Sequence, residues 1–334
     1  MWHRTFTRGL FHNFGGMHAV RWLHRKGVTI LMYHKFPADR RMLEGQCEYL
    51  QQHHKVLSLG RLSQLLQNGE PLPERAVVIT VDDGHRGFYE HGYPVFAKFN
   101  FPVTMYLTTG PMDRHNWLWF DRVEYAFLSS RRKAVELPKP ATKPDGGQSA
   151  PSEAAPQTDV LGSTEQRLAL AEQYMERMKT IPFNEFSACL HRLEQALEVQ
   201  VPDEPPEKWA MLTWDQVRLM ARERIEFGAH SVNHPILARL GGEKEVYEEI
   251  VGSRDRIQAE LNEPVLHFAY PNGQPQDLSP IIVKTVSDAG FRTAVTTVAG
   301  QVFPTDNPFL LRRVSAGVEL PLHRFQTNAA AFRV

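Results

Sequence analysis

Four places along the chain end a run of apolar, β-branched residues in side chains that can do chemistry. His34 follows residues 28–33 (VTILMY), and Asp82-Asp83-Gly84 follows 76–81 (AVVITV). His230-Ser231 follows 225–229 (IEFGA), and Tyr270-Pro271-Asn272-Gly273 follows 265–269 (VLHFA). In parallel α/β architectures the working groups gather at the carboxyl ends of strands, so their shared position links the four. Consecutive strand residues face opposite sides, so two adjacent carboxylates can divide the labour, one holding a metal while its neighbour accepts a proton. His230 and His234 are four apart, which on a helical turn puts both imidazoles on one side. An Asp with two His is a three-ligand set, and three protein ligands with one open position is how a catalytic zinc is held. Each piece alone has a plain reading: Asp-Asp-Gly is an ordinary strand-to-turn signal and a His pair at this spacing is usually unrelated.

The elements that must position these groups alternate strand and helix. Strands are expected at 28–33, 76–81, 102–109, 225–229, 265–269, 293–298 and 310–315, and helices at 42–54, 88–99, 214–222, 243–261 and 280–289. Continuous apolar strands separated by helices imply a parallel sheet covered by helices, open or closed into a barrel. The rhythm breaks at 121–210, read as a helical insertion, with helices at 164–179 and 183–199 and a cap at Ser163 or Thr164. Within it, residues 138–163 are rich in Pro, Gly, Ser and Ala, and are expected to be a flexible surface loop.

Composition narrows the function classes. The 334 residues carry 38 basic and 38 acidic side chains, and a chain without basic excess is a poor nucleic-acid binder. The 42% apolar and 10% aromatic content excludes wholesale disorder. Two distant cysteines, Cys47 and Cys189, make neither a disulfide framework nor a thiolate metal site, so a metal must use His, Asp or Glu. Residues 1–35 hold six basic side chains and no acid. Residues 1–27 lack the unbroken apolar stretch of a secretory signal and no segment is apolar enough to span a bilayer, so the expected location is cytoplasmic or peripheral to the inner membrane face. That basic segment reads either as a helix resting on a membrane surface or as a helix packed on the domain.

Residues 78–84 (VITVDDG) resemble the T-F-D-D-G motif of NodB-type polysaccharide deacetylases, and residues 230–234 (HSVNH) resemble their H-[ST]-x-x-H motif. The resemblance covers roughly residues 28–317 and implies a NodB-like domain over 28–334 with the α/β fold of a deformed (β/α)7 barrel, interrupted here by the helical insertion. It implies Asp82 as general base and Asp83, His230 and His234 as ligands of a divalent metal, zinc foremost, with cobalt, nickel or manganese as alternatives. Val81 stands where the usual motif has Phe, and Ala269 stands where the family's third motif usually places an Arg. The FAYPNG form at 268–273 resembles a branch that includes exopolysaccharide and poly-N-acetylglucosamine deacetylases, whose members open with a strand ending in Tyr-His, as Tyr33-His34 does. That makes His34 the expected general acid, in preference to His323, which opens a C-terminal helix. Arg313 is the candidate replacement for the missing Arg, against the alternative of an exposed strand charge.

The implied chemistry is hydrolysis of an N-acetyl group on an N-acetylhexosamine residue of a polysaccharide in exopolysaccharide biosynthesis. Ser231 would support a ligand from behind, and a backbone N–H within Tyr270, Pro271 and Asn272 would donate to the oxyanion. Trp117, Trp119 and Phe120 read as a sugar-stacking wall or as ordinary packing, Asp121 as lining the same cleft, and His85 as a solvated turn residue in preference to a substrate contact. Two rivals stand beside this reading. A glycosidase would use Asp82 and Asp83 as its carboxylate pair, but adjacent residues facing opposite ways fit poorly the ~5–9.5 Å separation such pairs need, and His230 and His234 are left without a role. A carbohydrate-binding pseudoenzyme is the second, prompted by Ala269.

Overall fold

The computed structural model describes residues 25–138 and 158–330. In chain order the elements are β1 (Thr29–Tyr33), α1 (Arg41–His53), β2 (Lys55–Leu57), α2 (Leu59–Gln67), β3 (Ala76–Val81), α3 (Tyr93–Lys98), β4 (Val103–Leu107), α4 (Thr109–Arg114) and α5 (Trp119–Ser129). The insertion continues with β5 (Ala134–Glu136), β6 (Thr158–Val160), α6 (Thr164–Met178) and α7 (Phe186–Leu197). Then follow α8 (Trp214–Ala221), β7 (Ile225–Ala229), α9 (Glu243–Leu261), β8 (His267–Ala269), α10 (Pro280–Asp288), β9 (Thr293–Ala299), β10 (Leu311–Ser315) and α11 (Leu322–Ala329). Strands β1, β3, β4, β7, β8, β9 and β10 pair in parallel in that order, and β10 returns to β1, closing a seven-stranded barrel. The short β2 lies against the first half of β3, from Lys55 opposite Ala76 to Leu57 opposite Val78.

The period of two along each strand sorts the core into two layers. Ile30, Val78, Tyr106, Ala269, Val295 and Leu311 form one cluster, the barrel lumen. Their neighbours Leu31, Val77, Ile79, Met105, Phe227 and Phe268 pack outward with Leu43, Phe96, Ile250 and Ile282 of the surrounding helices. Helix α2 closes the lumen at the amino-terminal end of the strands, where its Leu59 and Leu62 join the inner cluster and the Gly60 N–H donates to Glu226 of β7. Neither β2 nor α2 was expected from the sequence; β2 is three residues long, and α2 is announced only by the Ser58 cap, which accepts from Arg61 N. Gly228 on β7 has no side chain because a Cβ there would come within 2.5 Å of the Tyr106 ring in the lumen.

The insertion has a core of its own, built from Val123 and Phe127 of α5, Tyr174 and Met178 of α6, and Cys189, Leu193 and Leu197 of α7. Helix α6 starts in a reciprocal capping box between Ser163 and Gln166. The loop expected over 138–163 is corrected at its carboxyl end: Thr158–Val160 pairs antiparallel with Ala134–Glu136, because the two edges share backbone hydrogen bonds that composition does not reveal. The rest of that stretch, 139–157, and the basic segment 1–24 lie outside the described residues. Among the described residues no helix is long and apolar enough to cross a membrane.

Candidate active site

The inward register of four strands runs out of the barrel top in polar residues. Counting by twos, Ile30 leads to His34, Val78 to Asp82, Gly228 to His230, and Leu311 to Arg313. Asp82 is buried and receives both ends of the Arg313 guanidinium, Nη1 to Oδ1 at 2.6 Å and Nη2 to Oδ2 at 2.7 Å. Arg313 is itself buried, with Nε donating to Thr296 O at 2.9 Å and Nη1 to Thr80 Oγ1 at 3.2 Å. It is no exposed strand charge: β10 turns Arg313 into the lumen and leaves its neighbour Arg312 outside, against Asp306. Burial alone pushes the Asp82 carboxyl up, but Arg313, His230 and His34 together hold it below the ordinary 3.8. His34 Nε2 lies 3.9 Å from Asp82 Oδ2, on a side chain 44% exposed, so it faces both the carboxylate and the open mouth.

Asp83 leaves the strand in a left-handed conformation, φ 78°, and Gly84 follows at φ 96°. That turn swings its carboxylate toward β7, where Oδ1 lies 3.6 Å from His230 Nε2 and 3.5 Å from His234 Nε2. One ligand atom from each of the three comes within 4.8 Å of the others. Ligands about 2.0–2.1 Å from one tetrahedral ion sit about 3.4 Å apart, so the donor set fits zinc. Three further observations agree. His230 Nδ1 bonds to Ala269 O at 2.7 Å, which fixes the tautomer that frees Nε2. Burial and His230 hold the His234 imidazole down to about 3, keeping it neutral. Burial raises the Asp83 carboxyl, but the hydrogen bond to His230 and the neighbouring His34 and His85 outweigh it and keep Asp83 ionised.

The turn carrying the two histidines is strained and tied down from several directions. Ser231 (φ 63°) and His234 (φ 56°) are both left-handed, a conformation costing roughly 1–2 kcal/mol each outside glycine. Ser231 Oγ accepts from His234 N at 3.0 Å. Glu249 of α9 accepts from Val232 N, Asn233 N and Asn233 Nδ2, at 2.9, 2.8 and 2.6 Å. From the other side, α4 supplies Gly110 N to Val232 O at 2.7 Å, and Arg114 Nη2 donates to Asn233 Oδ1 at 2.6 Å.

The remaining expected residues fall in different places. Trp119 is buried rather than a sugar-stacking face: its indole N–H donates to His234 O at 3.2 Å and its ring packs edge-on to Phe186. Phe120 packs edge-on to the His234 ring at 5.1 Å. Asp121 is fully buried, bonded through Oδ2 to His85 Nε2 at 2.6 Å and paired through Oδ1 with Lys35 Nζ at 2.7 Å. The reading of His85 as a solvated turn residue is corrected: residues 210–212 strap over it, with Met211 bridged to it and Leu212 N bonded to Gly84 O, and its Nδ1 sits 3.7 Å from Asp83 Oδ2. Burial works against a charge on His85, yet Asp121 and Asp83 raise its pKa above 6.5. Tyr270 is buried with its hydroxyl on Phe309 O and its N–H on Val295 O, and the Asn272 side chain is committed to Asp277. Pro271 has no N–H, so Asn272, left-handed at φ 60°, holds the segment's remaining backbone donor. His323 lies in α11, as expected.

Comparison with known proteins places this geometry. The family model described as polysaccharide deacetylase matches residues 69–142 and 183–294, passing over the middle of the insertion. The poly-beta-1,6-N-acetyl-D-glucosamine N-deacetylase of Escherichia coli K12 is 28% identical over 93 residues, 25% of this chain and 14% of that protein. The protein of the same name from Staphylococcus aureus MSSA476 is 28% identical over 99 residues, 29% of this chain and 34% of that one. The matched stretch therefore spans 14% and 34% of these curated relatives. Among solved structures, IcaB from Ammonifex degensii superposes with a TM-score of 0.58 at 18% identity, covering 92% of this chain and 98% of that one. The deacetylase PplD of Streptococcus pyogenes, solved with acetate, gives 0.58 at 16% identity, covering 91% and 99%. At these identities the likeness is one of fold.

Proposed function

The chain belongs to the polysaccharide deacetylase family, and from that premise we propose that it is a metal-dependent hydrolase removing N-acetyl groups from N-acetylhexosamine residues of a polysaccharide in exopolysaccharide biosynthesis. One observation carries the reading: Asp83, His230 and His234 converge at the spacing of a zinc-type site directly beside a buried carboxylate, Asp82, that is ionised and clamped by Arg313. The names of the curated relatives point to N-acetylglucosamine as the sugar.

A divalent cation held by that triad, zinc foremost and cobalt, nickel or manganese as alternatives, supplies a Lewis acid for the acetyl carbonyl. The protein's own groups do the rest. Asp82, ionised at neutral pH, accepts a proton from the attacking water, and the fork of Arg313 fixes which lone pairs remain to receive it. His34 faces the mouth beside Asp82 Oδ2 and delivers a proton to the departing amine, which leaves poorly until protonated. The Asn272 N–H is the backbone donor for the tetrahedral oxyanion. Ser231, Trp119 and Glu249 hold the histidine turn in place.

The non-catalytic reading rested on Ala269. A buried guanidinium on Asp82, delivered from β10 by Arg313, supplies what Ala269 lacks and favours the enzyme. Acetate release from N-acetylglucosamine oligomers, with metal analysis of the same preparation, is the test. Release abolished by a chelator and restored by zinc is the expected result. A chain that binds the oligomers with metal loaded and frees no acetate is the pseudoenzyme instead. Turnover near the wild-type rate in His34→Ala removes His34 from the acid role.

A further inference from the structure

We propose that Glu249 is a positioning residue of the metal centre, setting the spacing of His230 and His234 through the backbone between them; this rests on the metal-site reading above. Glu249 lies on α9, within its buried face beside Val246 and Ile250, outside both motifs and 16 residues beyond Asn233. It is 8% exposed. A carboxylate that deep usually has a cationic partner. The hydrogen bonds of Glu249 instead come from N–H groups of the turn: two consecutive backbone N–H groups, Val232 and Asn233, on Oε2, and the Asn233 side-chain amide on Oε1.

Successive backbone N–H groups beside a left-handed residue form a concavity that binds anions. Here Ser231 is the left-handed residue and the protein's own carboxylate is the anion. The turn needs holding, because its ends, Ser231 and His234, both take conformations that side chains disfavour. Gly110 N on Val232 O and Arg114 on Asn233 Oδ1 anchor the opposite edge, so the turn is held between α4 and α9. Relaxing it would rotate His234, whose Nε2 must stay within ligand spacing of Asp83 Oδ1, now 3.5 Å away. Both oxygens of the carboxylate are taken up by the turn, so Glu249 acts through the backbone that carries the histidines.

The test compares wild type with Glu249→Met, which matches the side chain in size and accepts nothing, and Glu249→Gln, whose amide must turn an N–H toward one of the donors. Zinc affinity is read by competition with a chromophoric chelator, folding by thermal melting, and kcat and KM on N-acetylglucosamine oligomers at saturating zinc. Loss of supporting hydrogen bonds behind ligands typically costs 10–100-fold in metal affinity, so Glu249→Met should lose roughly 10–100-fold and Glu249→Gln about 3–10-fold. KM should not move, and kcat should recover as zinc is raised. Wild-type zinc affinity in a folded Glu249→Met overturns the assignment; should that variant not fold, wild-type affinity in Glu249→Gln does so. A wild-type protein that takes up no divalent ion overturns the metal-site reading itself, a separate outcome.

Discussion

Asp82 and Arg313 form a buried, doubly hydrogen-bonded ion pair in which each partner is the other's compensation. Replacing Arg313 with Met strands a carboxylate in the lumen, and breaking a buried pair from one side costs about 3–5 kcal/mol. Arg313→Met should therefore melt well below wild type, and Arg313→Lys should fall between, because one ammonium cannot reproduce the fork on Asp82 and the bond to Thr296 O. On the proposed function, Asp82→Asn should keep zinc, because the proposed ligands Asp83, His230 and His234 are untouched, and lose about 10²–10⁴-fold in kcat, measured as acetate release. Four of these side chains, Asp82, Asp83, His230 and His234, were legible from spacing because each motif is local. Arg313 was legible only as a candidate, since Arg312 and Arg313 look alike until strand parity is known. His85 was misread, because what buries it is the strap at 210–212, more than a hundred residues away in sequence.

Strand ends and turns decide what the period of two cannot. The alternation delivers His34, Asp82, His230 and Arg313 to one lumen, but Asp83 belongs to the outward set and reaches the site only because its left-handed turn redirects it. His234 needs a second such turn, and Asn272 a third. Sequence spacing located these segments; the backbone conformations that aim them come from contacts with α4, α5 and α9, which no local pattern encodes. Helix α5 is the clearest instance, since Trp119 donates to His234 O from its first turn. Trp119→Phe keeps the packed ring and leaves that carbonyl without its indole donor. A buried hydrogen bond lost in this way should lower stability by about 1–2 kcal/mol in chemical denaturation and weaken zinc binding, while a solvent-facing sugar platform would instead show up as a raised KM.

For the whole molecule, acid should be the weak side. Asp82 and Asp83 are both held below 3.8, so the stability they contribute is complete above that value and is lost as pH falls through their lower, folded-state values. Between about pH 7 and 5 the histidines oppose one another: His234, held down to about 3, loses stability as pH falls below 6.5, and His85, raised above 6.5, gains it. The melting temperature should drop steeply below about 4, where the two carboxylates also protonate. Zinc at a hundred times its Kd should add about 2.7 kcal/mol and raise the melting temperature, whereas Asp83→Ala, lacking a ligand, should show no such rise. The barrel itself was legible from the strand rhythm, and among the elements missed, β2 and α2 are a three-residue strand and a helix that plugs the lumen. The insertion, read as an interruption, has its own core, yet α5 serves two masters: Val123 and Phe127 face that core while Trp119, Phe120 and Asp121 brace His234 and His85. The seam between barrel and insertion thus runs through a helix instead of along a linker, so a minimal version of this chain cannot be cut at the point where the strand rhythm stops; it must keep α5 and the strap at 210–212 or forfeit the alignment of its histidines.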